Sequence, residues 1–144
     1  MNEFANRLID LAIEIQQIPA PTFEEAKRAK FVRRLFAQEN LQDVSIDKTG
    51  NVYARLPGAQ AQKSDVKPLI VSAHMDTVFP ADTDLRVTRQ PERIYGPGLG
   101  DNSLGVATLF GLIWMLCERN IELGGDEIVT KSGAINPFRL ARDA

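Results

Sequence analysis

Apolar positions along the chain follow two rhythms, and the change from one to the other places the elements. Phe4, Leu8, Leu11, Ile15 and Ile18 recur at steps of three and four, one face of an amphipathic helix that Pro19 and Pro21 bring to an end. Thr22-Phe23-Glu24-Glu25 then has the form of a capping box, with the Thr22 hydroxyl and Glu25 carboxylate satisfying backbone amides reciprocally. The helix it opens is expected to run to about Glu39. Ala29, Val32 and Phe36 form its inner side, and Lys27, Arg28, Lys30, Arg33 and Arg34 a solvated outer face. The period then drops to two. Val44 and Ile46, followed by Val52, Ala54 and Leu56, alternate with polar residues around Lys48-Thr49-Gly50-Asn51, which predicts a β-hairpin.

Pro57 to Lys67 is small and polar, a surface loop with no sign of a domain boundary. Leu69-Ile70-Val71 is a continuous apolar run, the pattern of a strand buried on both faces of an α/β sheet. Leu85 and Val87 suggest a further short strand before Pro91. From Ser103 to Arg119 the chain is apolar almost all round, through Val106, Leu109, Phe110, Ile113, Trp114 and Leu116. That predicts a helix with cover on several sides. Its apolar stretch, Leu104 to Cys117, is shorter than the ~20 residues that span a bilayer, so a core helix is expected. Beyond Gly124 the periodicity weakens, and only Ile128-Val129 suggests a strand.

Composition narrows the class. With 144 residues, 44% hydrophobic and 25% charged, the chain suits one globular domain. A net charge of −2 provides no field to attract nucleic acid or anionic lipid. The basic run on the second helix is diluted by Glu24, Glu25 and Glu39 and lacks aromatic stacking partners. The single cysteine, Cys117, precludes an internal disulfide and suits a reducing compartment. No basic segment followed by an apolar one opens the chain. A cytoplasmic protein without nucleic-acid or membrane partners is the expectation.

Candidate chemistry lies in two stretches. In His74-x-Asp76, at the end of the apolar strand, both side chains leave on one side of an extended backbone. Asp76 there either ligates a metal or hydrogen-bonds the imidazole and fixes its tautomer. In Gly96-Pro97-Gly98-Leu99-Gly100-Asp101-Asn102-Ser103, a glycine-rich turn delivers Asp101 to the start of a helix. A carboxylate so placed can bridge two ions roughly 3.5–4 Å apart. Taken singly, each has a plainer reading: a hydrogen-bonded pair, a flexible turn, and Asp101 and Ser103 as helix caps. Taken together they fall where α/β sheets place their sites, at the carboxyl end of a strand. The turn is not a dinucleotide loop, because its spacing is not GxGxxG and Asp101 opposes a pyrophosphate. A Cys117–His74 dyad is equally poor, since Cys117 lies on the last turns of an apolar helix.

Ser72-Ala73-His74-Met75-Asp76-Thr77-Val78, with Gly98-Leu99-Gly100-Asp101-Asn102-Ser103-Leu104-Gly105-Val106-Ala107, resembles the paired-zinc exopeptidases and deacylases. That group includes tripeptidase, glutamate carboxypeptidase, aminoacylase, acetylornithine deacetylase and succinyl-diaminopimelate desuccinylase. The resemblance covers roughly Phe4 to Asp126. It implies an α/β fold, part of the three-layer sandwich of a phosphorylase/hydrolase-like zinc peptidase catalytic domain, with a mixed sheet flanked by helices. Residues 1–126 are then its N-terminal portion and 127–144 a divergent tail. It implies that His74 binds a metal, that Asp76 orients it as a catalytic residue, and that Asp101 bridges two metals. The ions are Zn²⁺ in the family, with Co²⁺ or Mn²⁺ as alternatives, and the substrate is a peptide or N-acyl amino acid.

The sequence departs from the family after Asp101. The family's adjacent glutamates, one of them the general base for the attacking water, have no counterpart among Glu118, Glu122 and Glu127. The one Glu-Glu, Glu24-Glu25, lies in the helix cap, and His74 is the single histidine. The family's dimerisation domain and the second half of its sheet are also missing. A truncated amide-bond hydrolase is therefore expected, binding metal weakly, inactive alone and prone to non-specific self-association. The alternatives are a hydrolase half completed by a partner chain and a non-catalytic α/β binding module.

Overall fold

The computed structural model describes residues 2–56 and 69–121, together with the backbone of 128–132. Helix α1, Glu3–Gln16, begins where the Asn2 side chain accepts from the Ala5 amide at 2.8 Å. It buries Leu11, Ala12 and Ile15, the face that the sequence pattern predicts, and Gln16 with them. Helix α2, Ala26–Gln38, buries Ala29, Val32 and Phe36. The expected capping box does not form. Glu25 itself occupies the N-cap position without a side-chain cap, which leaves Thr22 three residues too early. The Glu25 carboxylate instead accepts from the Phe23 amide, and the Thr22 hydroxyl turns towards Asp76. Arg28 also departs from expectation: it lies in phase with Val32 and Phe36 and is buried, not solvated.

Strands β1, Gln42–Ile46, and β2, Val52–Leu56, form the expected antiparallel hairpin, with Ser45 opposite Tyr53 and Ile46 opposite Val52. Gly50 carries the turn at φ +87°, a conformation that side chains disfavour. Strand β3 is Leu69–Ala73, and Thr88–Arg89 (β4) and Ile94–Tyr95 (β5) pair as a separate two-stranded ribbon. The strand expected at Leu85 and Val87 does not form there, since β4 begins only at Thr88. The Leu85 carbonyl is taken by the Gln16 and Gln17 side-chain amides and joins no ladder. After α3, Leu104–Glu118, strand β6, Ile128–Ser132, runs antiparallel to β2 and parallel to β3. The main sheet is mixed, in the order β1-β2-β6-β3. Ile128-Val129 lie in β6, so residues 128–132 of the stretch set apart as a tail run through the sheet. The expected loop Pro57–Lys67, Glu122, Glu127 and residues 133–144 lie outside the described residues.

Helix α2 rests on β1 and β2, α3 rests on β3, and α1 packs along α3. The core joins Ile15, Phe36, Val52, Met75, Val106 and Ile113, with Phe36 stacked on Phe110 at 4.6 Å between ring centroids. The expectation for β3 needs correction. Leu69 and Ile70 are 54% and 63% exposed, because β3 is an edge strand among the described residues and only Val71 and Ala73 turn towards the helices. Helix α3 matches its predicted span and buries Val106, Ala107, Leu109, Phe110, Ile113 and Trp114. With the turn before it, the helical run Leu99–Glu118 reaches 20 residues, long and apolar enough to cross a membrane by length and composition. That is longer than the sequence estimate, yet the inner face of α3 is already filled by the core, as in a core helix.

Candidate metal centre

Met75 decides where its neighbours point. Its side chain is fully buried in the core, and in extended backbone the residues on either side must face the opposite way. His74 and Asp76 therefore emerge together just past the end of β3. Asp76 Oδ1 lies 3.2 Å from His74 Nδ1, and Asp76 Oδ2 accepts from the Thr22 hydroxyl at 2.8 Å. One Asp76 oxygen thus lies within hydrogen-bond reach of the imidazole and the other is held by Thr22. The chain before α2 is tied to the same segment, since the Thr77 amide donates to Ala20 O at 2.8 Å and Pro21 bridges Thr77.

The glycine-rich turn arrives from the other side. Gly98 adopts φ +69°, and a Cβ there would press on Thr77 Oγ1 at 3.2 Å. The turn continues through Leu99–Ser103, where Asp101 and Asn102 leave helical geometry and their peptide bond is cis. Asp101 Oδ1 stands 2.9 Å from His74 Nε2. Asn102 Nδ2 donates to His74 O at 3.2 Å, and a Cβ on Gly105 would collide with the Asn102 side chain. Ser103 makes no side-chain cap to α3, so the plainer reading of this residue is not what the fold builds. His74, Asp76, Thr77, Gly98, Gly100 and Asp101 line a cleft of about 380 Å³.

Both nitrogens of one imidazole thus face carboxylates. A neutral ring has a single N–H; if Nδ1 donates to Asp76, Nε2 presents a lone pair to Asp101. A cation between Nε2 and the Asp101 carboxylate would satisfy both. Two ligand atoms that share a tetrahedral zinc lie roughly 3.3 Å apart, so the His74–Asp101 pair needs little movement to hold one. Among the described residues no set of three or more His, Cys, Asp or Glu side chains is arranged to hold one metal ion, and Asp76 and Asp101 face opposite nitrogens of the His74 ring. The donor set fits part of a metal site.

The fold brings together all three residues singled out in the sequence and adds three that were not. Thr22 orients Asp76, Asn102 holds the His74 carbonyl, and Arg28 lies beneath the pair, donating to Met75 O at 2.6 Å. Burial pulls the Arg28 guanidinium down to about 10, and the charge of Asp76 partly opposes this. The helical phase shared with Val32 and Phe36 was the available signal for Arg28, and the glycine-rich motif was the signal for Asn102; Thr22 had none.

The family model of peptidase family M28 matches residues 51–127. The uncharacterized protein YqjE of Bacillus subtilis is 27% identical over 140 residues, covering 88% of this chain and 36% of that protein. The structure resembles aminopeptidase PepT from Bacillus cereus at 27% identity and a TM-score of 0.73, over 88% of this chain and 35% of that one. A tripeptidase from Staphylococcus aureus shares the fold at 24% identity and a TM-score of 0.72, with the same coverage of both chains. The chain spans about a third of the length of these relatives. The α/β arrangement is that of the N-terminal part of a zinc-peptidase catalytic domain. The family match contains His74, Asp76 and Asp101, and by it the chain belongs to peptidase family M28.

Proposed function

We propose that this chain supplies His74 and Asp101 as metal ligands, and Asp76 as the residue orienting His74, for a hydrolase of peptide or N-acyl amino acid bonds. The observation that carries the reading is the single imidazole held between two carboxylates on a cleft. With the ring proton on Nδ1, Asp76 accepts it and, steadied by Thr22, would keep Nε2 directed at the cleft. Asp101 has a side chain 89% exposed, against 20% for Asp76, so its second oxygen is open to a further partner. Nothing stands within 4 Å of where a Cβ on Gly100 would lie, which keeps the approach to Asp101 clear. When bound there, zinc, cobalt or manganese would polarise a scissile carbonyl and acidify a water.

The proposal extends to the limits of these residues. Two donors hold a metal weakly, and no glutamate among the described residues joins His74 and Asp101 as a base. Positioned acid–base groups contribute about 10²–10⁴-fold, so these residues by themselves are expected to support only very slow turnover until a base and the remaining ligands join them. The net charge of −2 and the lone cysteine support a cytoplasmic protein without nucleic-acid partners. Metal titration tests the reading. Zn²⁺ binding should be lost when His74 and Asp101 are both replaced by alanine, and binding unchanged by that replacement would rule the site out.

A further inference from the structure

We propose that Arg28 is a positioning residue for the His74–Asp76 pair, fixing from beneath the peptide unit from which both side chains leave. The inference rests on the reading of His74 as a metal ligand. Arg28 is 1% exposed, a burial that arginine reaches only when its donors are satisfied. Nη1 donates to Met75 O at 2.6 Å. Nη2 and Nε donate to Ile18 O at 2.6 and 3.0 Å, and Nη2 also reaches Gln16 O at 3.5 Å. The guanidinium fork therefore clamps the carbonyl between His74 and Asp76 to the C-terminal end of α1, a span that a point donor such as lysine cannot bridge.

Packing alone does not account for this residue. Burying a guanidinium among Val32, Phe36 and Met75 is costly unless its donors are used, so the carbonyls it holds are what tie it to this position. What the guanidinium adds is register. With Met75 O held on one side and the Met75 side chain in the core on the other, the backbone between the two site residues has little freedom. Its charge also lies close enough to Asp76 to act on it electrostatically.

The single histidine makes a direct test available, because the imidazole resonances of this chain belong to His74 alone. Ring ¹H–¹⁵N spectra of the metal-free chain, Zn²⁺ affinity by chelator competition, and urea melts would be compared for wild type, Arg28→Met, Arg28→Lys and the core control Val32→Ala. In Arg28→Met the His74 ring signals should shift and broaden, and Zn²⁺ affinity should fall about tenfold or more. Arg28→Lys should be intermediate. Val32→Ala should lose stability with both readouts unchanged. A folded Arg28→Met with wild-type ring signals and affinity would overturn the proposal. If that variant does not fold, Arg28→Lys decides, and a wild-type spectrum there overturns it equally. Should wild type bind no Zn²⁺, the metal reading fails, while the metal-free ring spectra still decide the role of Arg28.

Discussion

Two aspartates sit in glycine-containing turns of this chain and use their oxygens differently. At the tip of the β1–β2 hairpin, Asp47 accepts from the amides of Thr49 and Asn51, the Thr49 hydroxyl, the Asn51 side-chain amide and the Tyr53 hydroxyl. All five lie between 2.8 and 3.0 Å. Burial pushes this carboxyl up, but the hydrogen bonds from Asn51, Thr49 and Tyr53 outweigh it and hold the group well below the usual carboxylate range. Asp101 directs one oxygen at His74 and leaves the rest of its side chain to solvent. A carboxylate that shapes a turn closes on its own loop. One that serves a ligand keeps lone pairs free and faces another donor, and only Asp101 does so.

Removing the donors on the cleft should give the largest effect. Replacing His74 and Asp101 together by alanine is expected to weaken Zn²⁺ binding roughly 100-fold or more, read by calorimetry, whereas Asp47→Ala leaves it unchanged. Equal losses from both would erase the contrast between the two turns. Asp76→Ala comes next, with about 10–100-fold lost through a ring no longer oriented and the chain still folded by circular dichroism.

The hairpin should answer in stability instead. Asp47→Ala is expected to cost about 1–2 kcal/mol, reduced from the value of a buried charged network by its exposure, and Asp101→Ala less than about 0.5 kcal/mol in metal-free urea melts. Because the folded state holds Asp47 below its unfolded pKa, this contribution is present above about pH 4. It is lost progressively as pH falls from there towards the depressed folded-state value, so the gap between wild type and Asp47→Ala should close in strong acid. An invariant gap would show that the charge of Asp47 contributes nothing. Gly50→Ala and Gly98→Ala should fall between Asp47→Ala and Asp101→Ala, each costing about 1 kcal/mol for a left-handed backbone. Gly98→Ala should cost more in thermal melts, since a Cβ at Gly50 meets open space and one at Gly98 meets Thr77.

The same contrast explains what could be read in advance. Helices α1, α2 and α3 and the hairpin carry their periods in contiguous residues, and the structure reproduces them within a few positions. The meeting of His74, Asp76 and Asp101 was legible because a strand end and a glycine turn are local features that leave few places to go. The exposure of Leu69 and Ile70 was not, because an apolar run describes the cover a strand is suited to and says nothing of what lies beside it. The supports were hidden for another reason. Thr22 acts on a carboxylate 54 positions away, and Arg28 on a carbonyl 47 positions away. Neither a backbone carbonyl nor a distant hydroxyl leaves a pattern in sequence. Leu85 was misread similarly, since the glutamine amides that take its carbonyl come from α1.

The most direct measurement is a Zn²⁺ titration followed at the single imidazole. The Nε2 resonance of His74 should move saturably as Zn²⁺ is added to the wild-type chain, and should require a much higher concentration in Asp101→Ala. A ring that ignores Zn²⁺, or one that responds identically with and without the Asp101 carboxylate, would contradict a metal site built from these two residues.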